Sequence, residues 1–504
     1  MRGLKSFVSV FLCAVLCVSA VAFSAQAKSK KYVKSISVKS KAEITIPAGK
    51  KTAVKSFKVA VKVKGNASKK FTAKSAKPSV AAVKVEKSSI KITAKKAGAA
   101  KITVTSKAKN VKGKKLSKTL TVTVKKAAEE NKKEEKEDGF KIYFANNKKW
   151  SDVKARFFNR ESGASVNAEM KLLEKNSYGE DVYCAAFDLG KYDRAVFGNG
   201  TDETTPIPVT KASSGFYITS DTPEFNGKYS AGVYTYGKQF GGKIEDIEMD
   251  YPGGYTKNVS IMTPEGYNPE DKTKKYSVLY MSDAQNIFGM EGYRSKGEWC
   301  CDDTIQTLMN NGGDGIIIVG VVTNDAKRMT ELTPNIGSLK PIPEIPEEYY
   351  KDVKLEGENF SKFLAEDLIP YIDNNYNTNS TRGFAGSSNG GLEAFYIGME
   401  HPELFSYIGA MSPSFDFFDE DVWDNYLADK KFTGSVPNLY ISAGNSDFTE
   451  QIQYDAVISM GKRLEKAGYP ADKMTMVIDQ DAAHKEFYWG LYFPEMLCFG
   501  LNIK

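Results

Sequence analysis

Three side chains far apart in the chain have the types needed for nucleophilic acyl chemistry. Gly386-Ser387-Ser388-Asn389-Gly390 fits the pattern G-x-S-x-G, in which a sharp turn between a strand and a helix lifts a serine hydroxyl clear of the backbone. The short run Thr381–Ala385 before it reads as a strand, and "GLEAFYIGMEHPELF" after it has helical character. A Cβ at 386 or 390 would collide with neighbouring chain, and the helix that starts there points backbone N–H groups at developing negative charge. Ser388 is therefore the candidate nucleophile, and Ser387, at the x position, is assigned to packing. A serine needs a base, and the chain has two histidines. His401 lies about three and a half helical turns from Ser388, ~20 Å at 1.5 Å per residue, and reads as a capping residue before a proline. His484, in the loop-like "DQDAAHKEFYWG" after the strand-like "KMTMVID", is the candidate base. The third member should be an acid on a loop after a strand, between serine and histidine in sequence, holding the imidazole in one tautomer. Asp447, directly after "VPNLYISAGNS", fits best, with Asp416, Asp479 and Asp481 as alternatives. An oxyanion needs two N–H donors. The amide of Asn389 supplies one, and Ala284 or Gln285, in the loop after "YSVLYMSD", the other.

Strand-length apolar runs alternate with helical patterns from about Gly237 onwards, through "YSVLYMSD", "GIIIVGVVT", "GENFSKFLAEDLIPYIDNNY", "SYIGAMSPS" and "PNLYISAG". That alternation over residues 237–504 predicts a doubly wound α/β domain with a mostly parallel sheet. Upstream the texture is all-β. Residues 28–126 contain short alternating runs (Ser35–Val38, Phe57–Val63, Ile90–Ile92, Lys101–Val104, Leu120–Val124) separated by turn residues, the pattern of a small antiparallel sandwich. Residues 127–138, "AAEENKKEEKED", read as a charged linker. Residues 139–236 form a second β-rich segment, with alternation in "KIYFANNKKWSDVKARFF" and "DVYCAAFDL".

Several motifs in order, "VLYMSDAQNIF", "VTNDAKRMTELTP", "GFAGSSNGGLEAFYIGMEHPELF", "YISAGNSDF" and "AAHKEFYW", resemble the esterase D-like family, which includes feruloyl and acetyl xylan esterases, enterochelin-type esterases and mycolyl transferases. The resemblance spans residues 240–504 and implies an α/β-hydrolase with Ser388 as nucleophile, Asp447 as acid and His484 as base. One departure is Ala284, where that family usually carries a glycine before the Gln-Asn pair. Residues 31–126 resemble bacterial immunoglobulin-like domains through "SVKSKAEITIPAGK" and "AAVKVEKSSIKITAKKAGAAKITVTS". The "YF…W-S-D-V" opening and "AVFGNGTDETTPIPV" resemble starch-binding modules of the family 26 type. That likeness implies α-glucan binding by Tyr143 and Trp150, whose ring faces would pack against the C–H face of a pyranose.

Charge is divided unevenly. Residues 28–126 hold 30 lysines, no arginine and two acids, Glu43 and Glu86, whereas the whole chain is only +8. A basic module tethered to an acidic body argues against uniform nucleic-acid binding and suits an anionic cell-wall polymer or acidic polysaccharide. Arg2 and Lys5, an apolar run from Phe7 to Phe23 and Ser24-Ala25-Gln26-Ala27 predict a secretory signal over residues 1–27, hence an extracellular protein. No later run is long and apolar enough to span a membrane. Cys184, Cys300, Cys301 and Cys498 lie outside that segment and show no zinc-type spacing. No metal or organic cofactor is expected. The function so implied is hydrolysis of acyl esters, feruloyl or acetyl, on polysaccharide-related substrates. The rivals are acyl transfer on the same fold and a carbohydrate-binding adhesion protein with an inactive hydrolase domain.

Overall fold

The computed structural model describes residues 31–46, 51–126, 139–289, 298–323, 326–341, 353–433 and 435–503. The predicted signal and the predicted charged linker lie outside these residues. The chain forms two compact units, 1–135 and 136–504.

In the first unit a four-stranded sheet, in the order 41–46, 115–126, 98–109, 71–75, faces a three-stranded sheet of 53–58, 89–94 and 81–86. Alternation places Ile44, Ile46, Ile90, Ile92, Ile102, Val104, Leu120 and Val122 in one core, while lysines take the outward positions. Strands 41–46 and 115–126 run parallel, so the sandwich is mixed and not purely antiparallel as the sequence suggested.

The second unit contains an eight-stranded sheet: β1 (Lys243–Tyr251), β2 (Tyr255–Thr263), β3 (Tyr276–Met281), β4 (Ile317–Val321), β5 (Thr378–Ser387), β6 (Tyr407–Met411), β7 (Asn438–Ala443) and β8 (Met474–Ile478). Their order is β1-β2-β4-β3-β5-β6-β7-β8. β2 is antiparallel to both neighbours, and every pair from β4 to β8 is parallel. This is the α/β-hydrolase sheet. Because successive strand residues point to opposite faces, Leu279 and Met281 enter one core while Val278 and Tyr280 enter the other. Helices α1 (Cys301–Asn310) and α5 (Glu486–Gly500) contribute to the first core; α2 (Asn389–Glu400), α3 (Glu420–Ala428) and α4 (Phe448–Ala467) contribute to the second.

Residues 139–236 do form two sheets, in the orders 171–175, 181–187, 140–145, 215–218, 231–234 and 165–169, 154–158, 194–198, 207–208. Their core, however, is continuous with the α1 and α5 layer of the hydrolase: Phe144, Phe157, Phe197 and Phe216 belong to the same cluster as Trp299, Trp489 and Phe493. A buried ion pair crosses the predicted boundary at 236/237. Arg194, 2% exposed, donates from Nη2 to both oxygens of Glu495 at 2.9 Å, and Tyr440 OH donates to Glu495 at 3.1 Å. The expected separate module is thus one body with the hydrolase, because its apolar face is buried against α1 and α5.

Candidate active site

The strand–turn–helix around Ser388 is strained in the way the motif demands. Ser388 has φ 58 and ψ −123, between the end of β5 and the first residue of α2. Few non-glycine residues adopt positive φ. Close packing explains the flanking glycines: a Cβ on Gly386 would lie 2.5 Å from the carbonyl oxygen of Gly390, and one on Gly390 would collide with Ser282 Oγ. The backbone of Ser388 is pinned to the loop after β6. Its N–H donates to Met411 O at 2.9 Å, and its carbonyl accepts from Ser414 N–H at 3.2 Å.

His484 lies between β8 and α5 and is linked to the loop after β6 through Glu450 and Trp489, both of which hydrogen-bond Ser412. Its ring packs edge-on against Trp489, with centroids 4.9 Å apart, and its Nδ1 stands 3.2 Å from Glu450 Oε1. Glu450 is fully buried and takes two further donors: Ser412 Oγ at 2.5 Å on Oε1 and Gly444 N–H at 2.8 Å on Oε2. Trp489 Nε1 donates to Ser412 Oγ at 3.0 Å, so one network fixes the imidazole, the indole and the carboxylate together. Among the described residues, no hydrogen bond links the Ser388 hydroxyl to the imidazole.

The structure places Asp447, the acid expected from the sequence, between β7 and α4, against the histidine loop. Asp447 caps α4: Oδ1 accepts from Glu450 N–H at 2.9 Å and Oδ2 accepts from His484 N–H at 2.8 Å. It thereby ties the start of α4 to the histidine loop, and the carboxylate that contacts the ring Nδ1 is that of Glu450, three residues further on. Among the alternatives, Asp479 accepts from Tyr492 OH and from Asp481 N–H, and Asp481 accepts from Asn226 Nδ2; neither hydrogen-bonds the ring. Asp416 lies within electrostatic reach of His484, and burial pushes its carboxyl up to about 6, partly offset by His484 and Lys340. His401 hydrogen-bonds Ser361 Oγ at the far end of α2.

The candidate oxyanion donors flank the elbow. Asn389 begins α2 and Ala284 begins the turn Ala284–Asn286, so their N–H groups have no acceptor within those helices. The side chain of Gln285 is held by Thr323 N–H at 3.2 Å and by Asp283. Asp283 itself, at φ 55, is gripped by Arg328 through contacts of 2.8 and 2.9 Å and by Thr323 Oγ1 at 2.6 Å, while Arg328 also donates to Ser387 O at 3.2 Å. Arg328 thereby ties the Ala284 loop to the elbow. It went unassigned in the sequence although it opens "RMTELTP".

Beside the acid loop lies a groove of about 500 Å³. Phe415, Phe418, Trp423, Phe448 and Ile452 line it, with Lys340 and Arg463 among its polar groups.

The predicted sugar-binding aromatics are placed differently. Trp150, 7% exposed, is a core residue between Phe144 and Tyr229, with its backbone bracketed by the Asn146 side chain. It has no free face for a sugar, which corrects that expectation. Tyr143 is half-buried with one ring face covered by Tyr236 at 3.6 Å, and burial lifts its hydroxyl to about 12. The four cysteines carry free thiols. Among the described residues, no His/Cys/Asp/Glu cluster suits a metal, and no helix is long and apolar enough to cross a membrane.

An α/β-hydrolase sheet with a serine at the elbow after β5, an acid after β7 and a histidine after β8 defines the class. Residues 254–498 match the family described as "Putative esterase". Among curated relatives, the endo-1,4-beta-xylanase/feruloyl esterase of Xylanibacter ruminicola is 24% identical over 265 residues, which is 51% of this chain and 29% of that protein. The uncharacterized protein YbbA of Bacillus subtilis is 22% identical over 28% of this chain and 58% of its own length. The match thus spans less than two thirds of either relative. Among solved structures, the BES protein from Bacillus cereus is 19% identical, covers 53% of this chain and 98% of its own, and aligns with a TM-score of 0.40.

Proposed function

We propose that residues 237–504 hydrolyse carboxylic esters by an acyl-enzyme route, with Ser388 as nucleophile, His484 as base and then acid, and Glu450 as the orienting acid. The observation that carries this reading is the imidazole held by Glu450 and Trp489, which both hydrogen-bond Ser412 in the segment that anchors the strained Ser388. Ser388 attacks the carbonyl as His484 takes its proton. The oxyanion rests on the N–H of Asn389 and on that of Ala284 or Gln285. The alcohol leaves with the proton from His484, and water then releases the acid by the same steps.

The substrate in this reading is an acylated polysaccharide, feruloyl or acetyl, and the protein acts outside the cell. Two things support it: the feruloyl esterase named in the Xylanibacter relative and the signal-like opening segment. A fluorophosphonate probe should label the wild-type chain and not the Ser388→Ala variant, and a panel of aryl, acetyl and feruloyl esters should show turnover. An unlabelled wild type removes the reading, and product analysis with competing sugar acceptors separates hydrolysis from transfer.

A further inference from the structure

Two hydrogen bonds from outside the hydrolase segment bracket the histidine loop. Asn226 Nδ2 donates to Asp481 Oδ1 at 2.6 Å, three residues before His484. Ser230 Oγ meets Tyr488 OH at 2.9 Å, four residues after it. Both come from one connection between strands 215–218 and 231–234 of the upstream sheets. That connection is closed on itself: Ser230 Oγ donates to Glu224 Oε2 at 2.7 Å, and Ser230 N–H donates to Ser220 Oγ at 3.1 Å. Asn226 has φ 53 and ψ 29, a left-handed conformation that asparagine tolerates better than other side-chain-bearing residues. Ser230 is fully buried, so its bond to Tyr488 is sheltered from competing water; Asp481 is 8% exposed and meets Asn226 from an exposed turn.

The hydrolase segment fastens the same loop to the end of β7. Ala482 O accepts from the N–H groups of Asn445 and Ser446, and His484 N–H donates to Asp447. The upstream connection adds the hold on Asp481 and on Tyr488, which precedes the ring's own packing partner Trp489.

We propose that residues 220–230 form a clip that positions His484, and that Asn226 is a positioning residue for the ester hydrolysis proposed above, on which this inference rests. The upstream sheets then belong to the catalytic apparatus.

The test uses the full chain with Asn226→Gly, Asn226→Asp and Ser230→Ala. Glycine keeps the left-handed turn and removes only the amide; aspartate sets a second carboxylate against Asp481. Turnover of a small aryl ester is read beside the imidazole Hε1 resonances, which are resolvable because the chain has two histidines, so His401 serves as internal reference. Asn226→Gly should lower kcat roughly tenfold with KM little changed, well short of the ~10²-fold loss that a 1 Å misplacement brings. Asn226→Asp should lose more, and the His484 resonance should shift and broaden while that of His401 stays put. Wild-type kcat in Asn226→Gly and Ser230→Ala, or an unmoved His484 resonance in both, overturns the clip. If Asn226→Asp does not fold, the two smaller changes carry the decision. A wild type that cleaves no ester sinks the esterase reading, while the resonances still report on the clip.

Discussion

Replacing Glu450 by glutamine should be far more damaging than replacing Asp447 by asparagine. Glu450 accepts from three donors: Ser412 Oγ and His484 Nδ1 on one oxygen, Gly444 N–H on the other. A glutamine has one acceptor oxygen and one NH2 group. If its oxygen stays with Gly444, the NH2 opposes the imidazole, forces Nδ1 to accept, and moves the ring proton to Nε2, the atom that must take the proton from Ser388. If its oxygen stays with the ring, a buried Gly444 N–H is orphaned, a loss of about 1–3 kcal/mol in stability. The first arrangement abolishes the base. Wrong-tautomer variants of this kind lose about 10⁴ in kcat, and at 1.36 kcal/mol per decade that is ~5 kcal/mol of transition-state stabilisation. Asp447→Asn leaves the ring partner in place. Asparagine caps helices about as well as aspartate, so the loss is confined to one of two backbone contacts and kcat should fall by roughly tenfold or less. Steady-state turnover of an aryl ester, with thermal unfolding as a check on folding, distinguishes the two. A larger loss in Asp447→Asn than in Glu450→Gln would refute the assignment of Glu450.

Other consequences can be measured directly. Ser388→Gly removes the side chain from a positive-φ position and should raise the unfolding free energy by about 1–2 kcal/mol while abolishing fluorophosphonate labelling; an unchanged or lower Tm contradicts the strain. Burial raises the carboxyls of Asp303 and Asp416 to about 6. The folded chain therefore holds protons there that the unfolded chain has released between about pH 4 and 6. Stability from these two groups is full below that window and declines as pH rises through it. Asp416→Asn should gain on the wild type between pH 4 and pH 7 in urea unfolding, and an equal gap at both pH values refutes this. The 30-lysine segment 28–126 should retain the chain on a polyanionic resin with steep salt dependence. A chain beginning at residue 136 should flow through, and equal retention would dismiss that role.

The turn that carries the serine and the loop that carries the histidine were legible because their signals are local. G-x-S-x-G names its own backbone geometry, and with two histidines in the chain, distance along α2 eliminates one. The acid was not legible in the same way. Asp447 and Glu450 sit one turn apart, and only the direction of the Asp447 carboxylate, toward two backbone N–H groups, decides which of them meets the ring. Trp150 was misplaced for a related reason. A polar turn precedes it, but Phe144 and Tyr229, which bury it, come from other strands. The α/β alternation gave the fold class of 237–504, yet nothing local reveals that Arg194 finds its partner at Glu495, so residues 139–236 read as a segment apart from the hydrolase.

That buried Arg194–Glu495 pair has a practical consequence. Cutting the chain at residue 237 would leave Glu495 without its cation and bare the aromatic flank of α5 to solvent, a surface prone to aggregation. Grafting experiments that treat the upstream sheets as an exchangeable attachment would produce insoluble protein; the seam available to the molecular biologist is near residue 136.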